Sequence, residues 1–161
     1  KVIISSNTVV GKPGFGFIPN KTETQLTPHI GGVFIGEGTN IGAGCTIDRG
    51  LIDDTRIGKY VMIDNQVHIG HNSKIDDFCI LAGQVGLSGS VVLKKNVTIG
   101  GDVSIKDNVT IGEDSVIAGA SKVFNNFPKG SYIGGSPAQD IKAWKRMIAA
   151  QRLDLKKRKN N

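Results

Sequence analysis

Aliphatic residues occupy every sixth position from Ile57 to Val123 without a miss, through Ile63, Ile69, Ile75, Leu81 and their successors. Two positions before each stands a second, mostly small or β-branched residue, among them Thr55, Val61, Val67, Ser73, Cys79 and Val85. Positions i and i−2 of a strand face the same way, so each six-residue unit supplies one short strand with two inward side chains and then turns. The residue after the aliphatic one is often Gly, Asp or Ala, as at Gly58, Asp64, Gly70 and Ala82, the types that a corner favours. Neither an α-helix nor an isolated strand has this period. A fixed repeat over such a length predicts a solenoid, whose units stack because none can bury its apolar face alone. The pattern extends upstream to Ile35, Ile41 and Ile47, but ten residues then separate Ile47 from Ile57, which predicts an extra loop or bulge within 48–55.

The repeat resembles the hexapeptide unit of left-handed parallel β-helices, in which three units make one triangular coil of eighteen residues. That resemblance implies an all-β solenoid, a left-handed parallel β-helix, in which the unbroken run forms four coils rising roughly 4.8 Å each. The hand comes from the resemblance alone, since the usual rule for parallel crossovers favours the opposite one. The expected division is a β-helix over 1–127, then a turn-rich stretch and a C-terminal α-helix over 128–161. In the latter, Ile141, Trp144, Ile148 and Leu155 fall at roughly helical spacing after Pro128 and the 130–137 turns.

Composition adds few candidates for chemistry. Twenty-two glycines among 161 residues suit a chain with frequent corners. Cys45 and Cys79 both take the inward i−2 position and read as reduced core residues. No stretch is long and apolar enough to span a membrane, and no signal peptide is visible. The chain opens on Lys1 in mid-pattern without an initiator Met, so a fragment of a longer protein is expected. Residues 141–161 hold eight Lys or Arg against Asp154; of the 20 basic and 14 acidic residues in the chain this leaves 12 against 13, a nearly neutral body with a +7 tail. That tail is either a solvated end of a capping helix or a docking surface, with Lys142, Lys145, Arg146 and Arg152, for an acidic protein partner. Nothing reads as a nucleic-acid module. Two of the three histidines lie close together: with Ile69 inward, His68 points outward from its strand and His71 stands at the following corner. A corner on a convex prism has no pocket of its own, so only a neighbouring subunit would wall it in.

Thr46-Ile47-Asp48-Arg49-Gly50, Asp53-Asp54-Thr55, the Asp64-Asn65-Gln66 block running to His71-Asn72, and Gly134-Gly135-Ser136-Pro137-Ala138 resemble the UDP-3-O-acylglucosamine N-acyltransferases of lipid A biosynthesis, with Gly14-Phe15-Gly16-Phe17 continuing the likeness upstream. The resemblance implies transfer of a 3-hydroxyacyl chain from acyl carrier protein to the 2-amino group of UDP-3-O-acylglucosamine. It implies His71 as general base and the backbone N–H of Gly89, eighteen residues on, as oxyanion donor. The same resemblance implies a cytoplasmic homotrimer in a Gram-negative bacterium, with no resident cofactor, the donor bringing its own 4′-phosphopantetheine. Asp64 and Asn72 would orient His71 or the substrate, or simply form turns. Gly14–Phe17 would touch sugar or nucleotide, or make an apolar-filled corner. Two departures stand out: Asn108 occupies a region where the family often has a second histidine, and the family's N-terminal uridine-binding domain is absent from these residues. Alternatives are O-acylation of UDP-N-acetylglucosamine, whose enzymes normally carry an acid in place of Asn72, an acetyl-CoA-dependent acetyltransferase, and a non-catalytic scaffold. A zinc-dependent carbonic anhydrase is disfavoured, because His29 reads as remote from His68 and His71.

Overall fold

The computed structural model describes residues 1–19 and 22–159, and of 154 and 156–159 the backbone only. Its body is a three-sided parallel β-solenoid. One sheet stacks Ile3–Ile4, Asn40–Ile41, Met62–Ile63, Ile80–Leu81, Thr98–Ile99, Val116–Ile117 and Tyr132–Gly134, ending on antiparallel Gln139–Asp140. The second stacks Val9–Pro13, Thr46–Arg49, His68–Ile69, Gly86–Leu87, Ser104–Ile105 and Lys122–Val123. The third stacks Val33–Ile35, Thr55–Ile57, Lys74–Ile75, Val92–Leu93 and Thr110–Ile111. From residue 55 to residue 123 each strand pairs with the one eighteen residues on, as His68 with Gly86 and Ile80 with Thr98, and the last step shortens to sixteen, Val116 with Tyr132.

Two longer interruptions of that register, both upstream, shape the molecule. Asn40 pairs with Met62 and Thr46 with His68, twenty-two residues apart. The four extra residues are taken up in the loop at 50–54, within the interval that the ten-residue gap predicts. Ile3 pairs with Asn40, thirty-seven apart, so a longer excursion leaves the first coil. It carries an antiparallel hairpin, Phe17–Pro19 with Thr24–Leu26. Gly14-Phe15-Gly16-Phe17 therefore opens an arm and is not a solenoid corner.

The inward aliphatic column is dry: Ile57, Ile69, Leu87, Leu93 and Ile111 have no exposed surface. The i−2 column mixes Val with Thr39, Thr55, Ser73, Ser115 and Ser121, which are also buried. A buried hydroxyl needs a partner, and corner backbone supplies it: Thr39 Oγ1 donates to the Gly58 carbonyl (2.9 Å), Ser73 Oγ to Ser88 (3.2 Å) and Ser121 Oγ to Ala118 (2.6 Å). The two cysteines follow the same rule, Cys45 Sγ donating to Asp64 O at 3.1 Å and Cys79 Sγ to Lys94 O at 3.2 Å. Both are free and buried, and burial pushes the Cys79 thiol up to about 11, so it stays a thiol.

The corners hold a feature that composition hid. The third residue after each aliphatic one takes positive φ, between 54° and 63°, at Tyr60, Gln66, Asn72, Phe78, Gln84 and Ser90, and so on to Ala120. Left-handed backbone costs a non-glycine residue roughly 1–2 kcal/mol. Each such corner is held by an axial hydrogen bond to the previous coil, for example Gln84 N to Asn65 O (3.0 Å) and Ser90 N to His71 O (2.8 Å). Gly70 answers a different demand: a Cβ there would fall 2.6 Å from the Ser88 backbone of the next coil.

The solenoid runs past the boundary expected after residue 127, because Val116 and Ile117 pair with Tyr132 and Ile133. The helix Ile141–Lys159 starts on Asp140, whose Oδ1 accepts from the amides of Lys142 (3.0 Å) and Ala143 (3.1 Å). Ile141 is buried beside Gly134, and Trp144 lies over Gly135. After that the helix leaves the body: Leu155 is 59% exposed. It covers the last coil with its first turns only, and the tail's basic residues beyond 155 lie outside the described side chains.

Ile99, 1% exposed in mid-stack, reports on how tightly the coils lock. Ile99→Ala is expected to lower stability by about 2–5 kcal/mol and Ile99→Val by about 1 kcal/mol, measured by urea unfolding. A loss below about 1 kcal/mol for the alanine variant would mean that the coils close around the gap.

A candidate active site at one corner of the coil

His71 and Asn72 lie at the corner joining the second and third sheets. Asn72 sits in the left-handed region at φ 61°, where Asn is better tolerated than most residues. Its amide donates to Thr55 Oγ1 at 2.9 Å. Its carboxamide has a defined orientation: Oδ1 accepts from the Leu51 amide (3.0 Å) and Nδ2 donates to the Asp53 carbonyl (3.2 Å). Oδ1 also lies 2.9 Å from His71 Nδ1. Because that oxygen can only accept, His71 Nδ1 must carry the hydrogen. In the neutral ring the lone pair is then on Nε2.

Gly89 lies one coil on, facing that nitrogen. A Cβ added there would stand 2.7 Å from His71 Nε2, so only glycine lets the ring and the next coil's backbone approach this closely. The flanking amides are engaged, Ser88 N with Ile105 O and Ser90 N with His71 O. Amides at the Gly89 position of a corner are free unless a side chain takes them, as Asp77 takes that of Lys59 and Asp64 that of Asn65. Among the described residues nothing takes the Gly89 amide.

The arm closes the other side. His29 is 7% exposed and packs edge-on against His71, with ring centroids 5.2 Å apart and planes at 73°. The reading of His29 as remote is thus wrong: the arm folds it back over the corner. A Cβ at Gly14 would lie 2.7 Å from His71 Cβ and 2.9 Å from His29 Nε2, so the arm's backbone seals both rings.

In front runs an open groove of about 430 Å³, lined by Phe15, Asp48, His68, His71, Ser88, Gly89, Asp107 and Asn108 with neighbouring glycine and serine. Asp48 is buried, with Lys12 Nζ at 3.2 Å and His68 Nε2 at 4.0 Å. His68 is exposed, and its Nδ1 lies 2.7 Å from Thr46 Oγ1. Asn108 is two coils along, its Nδ2 donating to Asp107 Oδ2 at 2.8 Å. Of the residues singled out from sequence, His71, Asn72, Gly89 and Asn108 meet here. Asp64 does not. It stands at a different corner, exposed, where its Oδ1 accepts from the Asn65 amide at 2.7 Å, the turn-forming alternative. Lys145 and Arg152 line a separate groove of about 510 Å³ on the helix with Trp144 and Ile148, while Lys142 and Arg146 lie exposed beside it. The sequence reading missed His29, Asp48 as a groove residue, and Asp107. Stacking every eighteen residues would have found Asp107, in line with His71 and Gly89; nothing in the periodicity reaches His29. Among the described residues no group of three or more His, Cys, Asp or Glu is arranged to hold a metal ion.

Residues 54–89 match the bacterial transferase hexapeptide family (six repeats). The chain is 45% identical over 159 residues to UDP-3-O-acylglucosamine N-acyltransferase 2 of Legionella pneumophila, an alignment covering 99% of this chain and 46% of that protein. It is 38% identical over 160 residues to UDP-3-O-acylglucosamine N-acyltransferase of Methylobacterium nodulans, covering 95% and 46%. The chain therefore spans about half the length of the curated relatives it matches. Among solved structures, UDP-N-acetylglucosamine acyltransferase of Arabidopsis superposes with a TM-score of 0.77 at 28% identity, over 87% of this chain and 47% of that one. The chain is a hexapeptide-repeat β-solenoid whose curated relatives are acyltransferases.

Asn72 joins the 50–54 loop to the His71 ring. In Asn72→Ala the Leu51 amide is expected to exchange with solvent about tenfold faster, the worth of one lost hydrogen bond, while core amides such as Ile99 keep their rates. Hydrogen exchange that leaves Leu51 unchanged would show that the loop is held by something else.

Proposed function

We propose that this chain is the catalytic β-helix of a UDP-3-O-acylglucosamine N-acyltransferase, moving a 3-hydroxyacyl group from acyl carrier protein to the sugar's 2-amine. One observation carries the reading: Asn72 holds His71 in the tautomer that presents an Nε2 lone pair, 2.7 Å from where a side chain at Gly89 would begin. The amine attacks the thioester carbonyl carbon as His71 Nε2 takes its proton. The carbonyl oxygen becomes an oxyanion, which the Gly89 amide receives. Collapse expels the phosphopantetheine thiolate, which recovers the proton from His71, leaving an amide and a free carrier thiol. General-base catalysis contributes roughly 10²–10⁴ in rate, and one well-placed amide donor about 3 kcal/mol. No enzyme nucleophile or resident cofactor enters, because the donor supplies the activated acyl group.

The same reading makes the protein a homotrimer. The groove is open on a convex face, and Phe15, Ile30 and Ile52 beside it are 72–80% exposed; a neighbouring copy would cover them and complete the cleft. UDP-sugar and carrier protein as substrates place the reaction in the bacterial cytoplasm.

In the full-length enzyme, His71→Ala is expected to reduce N-acylation at least about 10²-fold with the melting temperature retained, and His68→Ala to be far milder. Equal losses in both, or none in His71→Ala, would remove the base assignment. UDP-N-acetylglucosamine offered in parallel separates the N-acyl reading from O-acylation. Light scattering on the same preparation should give a trimer, and a fully active monomer would overturn the shared cleft.

We further propose that Lys142, Lys145, Arg146 and Arg152 dock the acidic carrier. Reversing them to Glu should raise KM for acyl carrier substrate more than it lowers kcat, and added salt should mimic the change, since exposed charges are screened over about 8–10 Å. An acyl-pantetheine donor, lacking the carrier surface, should serve both forms equally. Normal carrier use by the reversed variant at low salt would leave the tail as a solvated end.

A further inference from the structure

We infer that His29 is a positioning residue for His71, a role resting on the assignment of His71 as the base. His29 is buried and held on both sides by backbone. Its Nδ1 lies 2.8 Å from the Thr27 carbonyl, which can only accept, so Nδ1 carries a hydrogen. Thr27 N donates to Gly16 O at 2.9 Å, and Ile30 N donates to Leu51 O at 2.8 Å. Leu51 N in turn donates to Asn72 Oδ1. The arm, the 50–54 loop and the base thus form one connected unit, and His29 is the side chain through which the arm touches the ring.

The remaining nitrogen, Nε2, is buried and has no hydrogen-bond partner. A group chosen only to fill space would not leave a polar atom there. The point where Gly14 would carry a Cβ lies 2.9 Å from His29 Nε2 and 2.8 Å from His71 Cδ2. Gly14 thus presents only an α-hydrogen to the space that His29 Nε2 and the Cδ2 edge of His71 share, and both rings pack against that same wall. The edge-on contact, with planes at 73°, also stops the ring from swinging away from Gly89. His71 is thereby held at two places: Asn72 sets which nitrogen is free, and His29 sets where that nitrogen points.

Two variants of the full-length enzyme separate this role from simple filling. His29→Leu keeps bulk but loses both nitrogens; His29→Gln keeps a donor for the Thr27 carbonyl and an acceptor beside it. His29→Leu is expected to lower kcat about 10- to 100-fold, the scale of a small misplacement of a catalytic group, with KM for both substrates within about threefold and the melting temperature unchanged. His29→Gln should recover kcat to within about threefold of the parent. An unchanged kcat in His29→Leu, or a His29→Gln variant as slow as His29→Leu, would overturn the proposal. A second readout needs no turnover: carbethoxylation of His71 by diethyl pyrocarbonate, mapped by mass spectrometry, should be at least about threefold faster in His29→Leu, because the ring is freed. The same His71 rate in parent and variant would overturn the positioning role. An enzyme that acylates no sugar amine would instead sink the proposed function, and the His71 modification rate would still decide whether His29 holds the ring.

Discussion

Backbone stacking at eighteen-residue intervals is the constraint on which everything else in this molecule depends. Parallel strands must lie about 4.8 Å apart to share a ladder, and each coil has only three short strands with which to do it. Every residue of one coil therefore sits on its counterpart in the next. An inward aliphatic residue meets another, as Ile105 meets Val123, a corner turns as its neighbours turn, and extra residues must leave the stack as loops. The positive φ recurring from Tyr60 to Ala120 is the local cost of that rule, and the axial amide-to-carbonyl bonds offset it.

The site exists because the rule is broken twice on one side of the stack. The arm leaves the first coil and the 50–54 loop leaves the next, and they meet: Ile30 N and Gly31 N donate to Leu51 O and Gly50 O at 2.8 and 3.1 Å. A regular solenoid offers only convex corners. The two excursions raise walls around one of them and bring His29 and Asn72 against His71. The regular part is equally needed, for only direct stacking puts Gly89 opposite His71.

The C-terminal helix follows a different logic. Ile141 and Trp144 close the end of the stack, which would otherwise expose a coil's worth of apolar surface. Farther along the helix the contacts with the body thin out, and Arg146, Arg152, Leu153 and Leu155 are exposed. Structure and charge thus separate into a nearly neutral prism that carries the candidate site and a projecting basic segment.

Periodicity by itself determined the solenoid, its inward columns, the interruption near residue 50 and the stacking of Gly89 on His71, because a strict repeat turns sequence separation into spatial separation. The reduced state of the cysteines and the outward direction of His68 came from the same frame. Tertiary structure alone decided what lies off the repeat: that Gly14–Phe17 opens an arm, that His29 returns to the corner, and that the helix caps with only its first turns. Those positions hang on contacts between segments of unrelated period. No register links His29 to His71 across forty-two residues; hydrogen bonds between an arm and a loop do, and they come into being only when both excursions fold onto the same side.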